Sequence, residues 1–344
     1  MGRYKLQTMS NEFDEFNSWK TLLYKEECES ILSGEFKPPI TMHVYPTNLC
    51  NYDCDWCIMK EERKNGGSLS KDVFENLINS MNSMGIKCCH ISGGGETTTY
   101  KYIDLIKGFN GTKVLSTNGS FLTTKYVYLF DRIRISLDAG TKETHKLLKK
   151  SNNFDDVIKR IRECVSYKKE KYPNKTIGLG FVLNYDNCSD VIKFCDLANQ
   201  LDVDFVHIRP AYYSKNSDND KMVKSITKLA FETIEGIKKN SKVKIFSLSE
   251  KFDGFWTEKK YEKCLATPLH CVVTATGNLS VCQDMFIKFG DLNKQNLEDI
   301  WGSKEHKEAI SKIEISGCPR CVMNKPNEII ENVFKNNRIL KELI

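Results

Sequence analysis

Six short apolar runs, each followed by a helical pattern, restrict most strongly how this 344-residue chain can fold. The runs are TMHVYP (41–46), KCCHIS (87–92), KVLST (113–117), RIRISL (132–137), IGLGFVL (177–183) and FVHIRP (205–210). Between them lie segments such as SKDVFENLINSMNSMG, KYIDLIKGF, FDDVIKRIRECVSYKK and CSDVIKFCDLANQL, whose apolar residues recur at helical spacing. Parallel strands need long crossovers, usually helices. The repeated βα alternation therefore predicts an α/β protein built on a parallel sheet. Six units are too few for a closed eight-stranded barrel, so the expected architecture is a partial (βα)6 barrel. Its ligands would bind at the carboxyl ends of the strands.

The remaining texture predicts the domain layout. Residues 1–39 read as a helical lead-in, with FNSWKTLLYKEECESIL ending near Gly34 and Pro38 and Pro39 beyond it. The barrel is expected over 40–215. The polar stretch YYSKNSDNDK marks a boundary to a linker over 216–262, a helix followed by the extended KVKIFSLS. A small cysteine-rich domain is expected over 263–325 and a closing helix over 326–344. With 51 basic and 45 acidic residues the net charge is +6, both signs interspersed, which suits an anionic ligand and lends little support to nucleic acid binding. No apolar run has the length of a membrane span, and the first residues lack a signal-peptide pattern. The expected compartment is a reducing cytoplasm. There 14 cysteines are more often metal ligands or catalytic groups than disulfide partners.

Three of them stand in CNYDCDWC, directly after the first strand and so on the expected active face. Cys50, Cys54 and Cys57 have the spacing C-x3-C-x2-C. Structural zinc normally takes four ligands as two close pairs, whereas a 4Fe–4S cluster held by three thiolates leaves one iron position open. On spacing alone, a zinc loop completed by a distant Cys or His stays open beside the cluster. After the second strand comes SGGGETT, in which Gly93, Gly94 and Gly95 allow close backbone approach. A plain strand-to-helix turn accounts for these glycines but not for the placement of Glu96.

The C-x3-C-x2-C loop, with the aromatic Trp56 before its last cysteine and PTNLCN leading into it, resembles the radical S-adenosylmethionine superfamily. The resemblance implies that Cys50, Cys54 and Cys57 hold a 4Fe–4S cluster whose open iron binds S-adenosylmethionine. That cofactor would be cleaved reductively to a 5′-deoxyadenosyl radical, which takes hydrogen from the substrate. It also implies that Gly93, Gly94, Gly95 and Glu96 lie beside the methionine moiety, Glu96 meeting its amino group. Thr97 stands where the family usually has proline. Ser116 and Asn118 of STNG would reach the cofactor or substrate, and Ser136 and Asp138 of RISLDAGTKETH its ribose or carboxylate. For any single serine, a backbone-satisfied buried residue is the competing reading. Arg209 of HIRPAYY is placed near the mouth, where it could clamp an anion, or on the outer surface.

A second constellation follows. Cys264, Gly277 and Cys282 form C-x12-G-x4-C, and Cys318 and Cys321 form C-x2-C. Four thiols in two groups fit zinc or an iron–sulfur cluster. With the connector FGDLNKQNLEDIWGSKEHKEAI between them, they resemble the twitch domain, the shortened SPASM form, of the same superfamily. The resemblance implies one auxiliary 4Fe–4S cluster closed by Cys264, Cys282, Cys318 and Cys321 and suited to electron transfer. Cys28, Cys88, Cys89, Cys164 and Cys195 read as small buried hydrophobes. Cys271 is left over in a strand-like stretch. Cys188, after the fifth strand, is a candidate hydrogen-atom donor or a local packing residue.

The expected function is oxidation of a small polar substrate (a sugar, cyclitol or nucleotide) by a dehydrogenase-like radical enzyme, fed by a flavodoxin or ferredoxin. Epimerase or lyase chemistry on a carbohydrate is an alternative. A maturase of ribosomally made peptides is another, weakened because only about fifty residues precede Cys50, few for a peptide-binding domain with its own core. A non-catalytic zinc-binding interaction protein would explain the cysteines but not the glycine–glutamate turn.

Overall fold

The computed structural model describes residues 16–211, 213, 217–247, 259–284, 286–318, 321 and 323–336. Among these, one sheet carries β1 Thr41–Val44, β2 Cys88–Ile91, β3 Thr112–Thr117, β4 Arg132–Ser136, β5 Thr176–Leu183, β6 Phe205–Pro210, β7 Lys244–Phe246, β8 His270–Val273, β9 Asn278–Ser280 and β10 Lys288–Asp291. Its order is β10-β9-β8-β1-β2-β3-β4-β5-β6-β7. The strands β1 to β7 pair in parallel in chain order, giving the expected α/β fold on a parallel sheet. The stretch KVKIFSLS does more than link: its residues 244–246 add β7 beside β6. On the other side, β8 pairs in parallel with β1, and β9 and β10 follow antiparallel. The beginning of the cysteine-rich segment thus extends the sheet of the barrel.

Each crossover helix presents one apolar face to the sheet. Ser70 caps the helix Lys71–Ser83, its hydroxyl accepting from Val73 N at 3.2 Å, and Phe74, Leu77, Ile78 and Met81 of that helix are buried. Helices Phe154–Lys171 and Val191–Leu201 bury Val157, Ile161, Phe194 and Ala198 in the same way. These side chains meet the outward-facing strand residues Met42, Val44, Ile91, Leu115, Ile133, Ile135, Leu179 and Ile208 in one continuous core.

The opposite face of the strands is polar. His43, His90, Ser116, Arg132, Arg134, Ser136 and Arg209 alternate with the core residues and are only half-buried, whereas their outward neighbours are fully buried. The strands therefore enclose a hollow rather than a packed interior. β5 contributes Gly178 and Gly180 to that face, opposite Arg134 and Ser136 of β4. A Cβ on Gly178 would lie 2.5 Å from the Phe205 ring. Phe16 closes the lower end: its ring stacks on His207 at 4.2 Å and meets Phe246 edge-on at 5.0 Å. The Arg132 guanidinium lies over Phe205 at 3.8 Å.

The C-terminal connector wraps back over the barrel. Glu298 accepts from Ser80 and Ser83, each at 2.5 Å, and Trp301 Nε1 donates to Lys37 O at 2.8 Å. The lead-in is a 3-10 turn, Ser18–Tyr24, followed by helix Lys25–Leu32, with Gly34 at φ +81° beyond its end. No helix among the described residues is long and apolar enough to cross a membrane.

Because Phe205 is fixed between Arg132 and Phe246, it cannot yield to a methyl group on Gly178. Gly178→Ala is expected to cost about 1–3 kcal/mol, the usual range for overpacking. The check is a thermal melt of the single variant beside the double variant with Phe205→Leu. Part of the loss should return in the double variant.

Candidate functional site

The loop after β1 has no regular structure of its own and is held from outside. Thr47 bridges to Gly94 on one side and to Ser68 on the other. The Asn48 side-chain amide donates to Gly66 O at 2.7 Å, and Arg63 donates to Tyr52 O at 3.2 Å. Further along, Asn51 donates to Ser120 at 2.9 Å, and the Tyr52 hydroxyl donates to Asn153 at 2.7 Å. On this frame Cys50, Cys54 and Cys57 are half-buried and form no disulfide. Burial pushes the Cys50 thiol up and the Cys54 thiol to about 11, and both also feel Cys57. The Cys50 sulfur accepts from Tyr52 N at 3.5 Å, the kind of N–H contact that supports a cluster thiolate. Among the described residues no three metal-ligating side chains are already gathered into a ready site.

The glycine turn lies against this loop. Gly95 N donates to Thr47 O at 2.6 Å and Glu96 N to Leu49 O at 2.7 Å. A Cβ on Gly94, which has φ +71°, would lie 2.5 Å from Thr47 O, and one on Gly95 would overlap Leu49 O. A Cβ on Gly93 would press on the Tyr45 ring at 3.0 Å. These glycines let two backbones touch, which the sequence suggested only for a backbone and a ligand. Glu96 is 3% exposed. Its Oε1 accepts from the Thr98 and Thr117 hydroxyls, each at 2.5 Å, and from Thr98 N at 3.0 Å. Its Oε2 accepts from Asn118 N at 2.7 Å.

The other expected residues divide by depth. The Asn118 side chain stays at the rim, donating to Asn51 Oδ1 at 2.8 Å. Ser116 points into the hollow, within 2.8 Å of His90 Nε2 and 3.1 Å from the Arg134 guanidinium. Ser136 and Arg209 are half-buried on the same inner face. Asp138 is almost fully buried, with φ 61°. Its Oδ1 accepts from Val182 N at 2.7 Å and its Oδ2 from Lys149 Nζ. Each oxygen accepts one bond inside the protein. Burial pulls the Lys149 ammonium down, but the Asp138 carboxylate outweighs it and holds the group charged. That ammonium lies 5.2 Å from the Trp56 ring centre and also acts on Cys54. Trp56 rests against Val182, Ala211 and Val223.

The second constellation gathers around Tyr261. Its hydroxyl is bonded to Cys321, and burial together with Cys321, Cys264 and Cys318 pushes its ionisation well up. Asn327, fully buried on the helix Asn324–Ile329, accepts from Leu265 N at 2.6 Å and Ala266 N at 2.9 Å, and its amide donates to the Cys264 sulfur at 3.8 Å. Lys259 donates to Cys318 O at 2.9 Å. Cys282 lies across from these, beside Tyr45 at the end of β1. Burial lifts the Asp284 carboxyl to about 7, against the pull of Arg209, and the same carboxylate acts on Cys318 and Cys321. Soft donors with buried N–H and O–H groups on the sulfurs fit an iron–sulfur group at both places.

Sequence reasoning missed Lys149, Asn327, Asp284 and Arg134. Asn327 and Asp284 carry no local signal, since their partners are tens of residues away. Lys149 lies eleven residues after Asp138 and stands at the end of its helix, so helical spacing alone does not pair the two. Cys28, Cys89, Cys164, Cys195 and Cys271 are buried, and Cys88 is half-buried. Cys188 begins a 3-10 turn, Cys188–Asp190, after β5, its thiol donating to Tyr185 O at 3.3 Å.

The contact between Gly95 and Leu49 O is backbone on backbone, so an added methyl group must displace the cysteine loop. Gly95→Ala is expected to fold, as judged by far-ultraviolet circular dichroism, yet to lose most of the iron bound by this loop after anaerobic reconstitution. Iron content at the native level would contradict that dependence.

Comparison with known proteins accords with this geometry. The sequence pattern of the Radical SAM superfamily matches residues 44–198. The SPASM pattern, an iron–sulfur cluster-binding domain, matches residues 264–322. A probable GTP 3′,8-cyclase of Saccharolobus islandicus is 27% identical over 180 residues, which are 50% of this chain and 57% of that protein. One of Sulfurisphaera tokodaii is 26% identical over 214 residues, 58% of this chain and 66% of that protein. This chain thus spans little more than half the length of the first of these relatives. Among solved structures, Streptococcus suis SuiB bound to S-adenosylmethionine superposes with a TM-score of 0.62 at 14% identity, over 89% of this chain and 74% of that one. The anSMEcpe protein with bound AdoMet gives 0.58 at 16%, over 88% of this chain and 100% of that one. At such identities the likeness is one of fold. By the matches over residues 44–198 and 264–322, each holding one of the two cysteine groups, this chain is a member of the radical SAM superfamily with a C-terminal SPASM-type iron–sulfur domain.

Proposed function

We propose that this enzyme binds a small polar substrate, a sugar, cyclitol or nucleotide, in the barrel hollow and oxidises it with help from one auxiliary cluster. The observation that carries this reading is a meeting of three features. The three-thiol loop, the Glu96 turn and the mouth of a polar hollow come together at the carboxyl ends of β1 to β4. The two domains bring a 4Fe–4S cluster that binds S-adenosylmethionine and an auxiliary iron–sulfur cluster. When bound, these groups supply one-electron cleavage of the cofactor and hydrogen abstraction from the substrate.

The chain's own residues have distinct tasks in this reading. Cys50, Cys54 and Cys57 would hold the first cluster and leave one iron position open. Cys264, Cys282, Cys318 and Cys321 would hold the second and leave none. Glu96 Oε2 accepts a single bond, so it can take a further one from an ammonium group. Asn118 at the rim, and Gly93 on the Tyr45 ring, line the approach to that carboxylate. Trp56, Val182, Ala211 and Val223 form an apolar wall that excludes water from the mouth. Asp138, paired with Lys149 beside Trp56, would lie near the cofactor's ribose or carboxylate with Ser136. A flavodoxin or ferredoxin would supply the single electrons.

The sequence similarity to probable GTP 3′,8-cyclases favours a nucleotide among the small substrates. A second reading, a peptide maturase, draws support from the fold's likeness to SuiB solved with its precursor peptide SuiA.

Anaerobic reconstitution with iron and sulfide tests the core of the proposal. About eight irons per chain are expected, twice the four of one cluster, with broad absorbance near about 400 nm. The reduced protein should cleave S-adenosylmethionine to 5′-deoxyadenosine. Cys54→Ala should abolish that cleavage and retain about four irons. Cys318→Ala should lose a similar share of iron and still cleave. Zinc uptake without the absorbance would overturn the reading, and loss of cleavage in both variants alike would remove the electron-transfer role of the second cluster.

A further inference from the structure

Arg134, at the middle of β4, is a charged group on the inner face of the barrel that no sequence motif singled out. Its guanidinium reaches both ways across the inner face. One nitrogen donates to Ser116 Oγ on β3 at 3.1 Å, and another lies 3.4 Å from His207 Nδ1 on β6. It can cross to β6 because β5 between them presents no side chain. Gly178 pairs with Arg134, and a Cβ on Gly180 would only graze the arginine stem at 3.6 Å.

The neighbours of this guanidinium do not balance its charge. Ser116 is neutral, and burial holds His90 and His43 far below their ordinary range, His43 at about 3, so both imidazoles are neutral at physiological pH. Arg209 and Arg132 add like charge, and burial with these two lowers the Arg134 guanidinium to about 10. The carboxylate that acts on it, Asp138, is already tied to Lys149 and Val182 N. Arg134 makes no ion pair among the described residues. A charged group half-buried in a hollow without a counter-charge is costly, and an anion would complete it. Unlike a lysine, the planar fork is shaped for two oxygens of one group.

We propose that Arg134 forms an anion subsite midway down the hollow that holds a carboxylate or phosphate of the substrate. This inference rests on the reading of the hollow as the substrate chamber. It sets the substrate's polarity: an anionic end bound midway down, with the reacting carbon towards the cysteine loop. Arg134 is a binding residue here and takes no part in bond breaking.

Calorimetric titration of the reconstituted protein with inorganic phosphate, inorganic pyrophosphate and malonate, with and without saturating S-adenosylmethionine, tests it. The wild type is expected to bind at least one probe. Preference for phosphate or pyrophosphate assigns a phosphorylated substrate, and preference for malonate a carboxylate. Arg134→Gln should weaken binding at least about tenfold, the scale of a lost charged contact. If that variant does not fold, Arg134→Lys carries the test, since it keeps the charge and loses the fork. A loss of at least about threefold is then expected. No binding by the wild type, unchanged affinity in the variants, or displacement of the probe by S-adenosylmethionine would each overturn the proposal. A protein that cleaves S-adenosylmethionine but binds no probe refutes the subsite and leaves the radical reading standing. One that binds the probe but never cleaves does the reverse.

Discussion

The pairing of β1 on both edges is the constraint on which the rest depends. Its residues Thr41 to Val44 ladder with Cys88 to Ile91 on one side and with His270 to Val273 on the other. The loop that leaves β1 carries Cys50, Cys54 and Cys57, and the hairpin that follows β8 leads to Cys282. One four-residue strand therefore positions the first cysteine group and, through β8, Cys282 of the second. Tyr45, just beyond it, joins them: its N–H donates to Val273 O at 2.8 Å, its ring underlies Gly93, and its hydroxyl environment includes Cys282 and Asp284. Parallel pairing supplies every backbone bond of β1 from its neighbours, which leaves its C-terminal loop free of ladder duties and available for chemistry.

Around that strand the protein handles buried charge in three ways. Glu96 is surrounded by hydroxyl and amide donors and keeps capacity on one oxygen. Asp138 and Lys149 neutralise each other, an arrangement whose disruption by loss of one partner typically costs about 3–5 kcal/mol. Arg134 is bonded to Ser116 and His207 and has like-charged neighbours. The first two stiffen the mouth, at the rim and beneath Trp56. The third has no ion pair among the described residues.

Much of the fold was legible because its signals are local. The six runs at 41–210 became β1 to β6 with ends shifted by one or two residues, since strand alternation and helix caps such as Ser70 and Thr141 are written in neighbouring residues. β7 was harder, because three residues at the edge of a sheet carry little pattern. The docking of β8 on β1 could not be read, since pairing partners more than two hundred residues apart leave no trace in either segment. The glycines were read as making room for a ligand. In the structure they first make room for Thr47 and Leu49.

The amino-acid sequence by itself determined the donor sets, three thiols in one loop and four in two groups, and the strand ends on which they fall. Ligand number and spacing are properties of short stretches, and metal chemistry follows from them. Only the tertiary structure decided which charges are spent and which are available. It paired Asp138 with Lys149, set Asn327 on Cys264, turned Ser116 into the hollow, and bonded Arg134 to Ser116 and His207. The reason is physical: the state of an ionisable side chain is fixed by burial and by partners from other strands, and both come into being when the sheet closes.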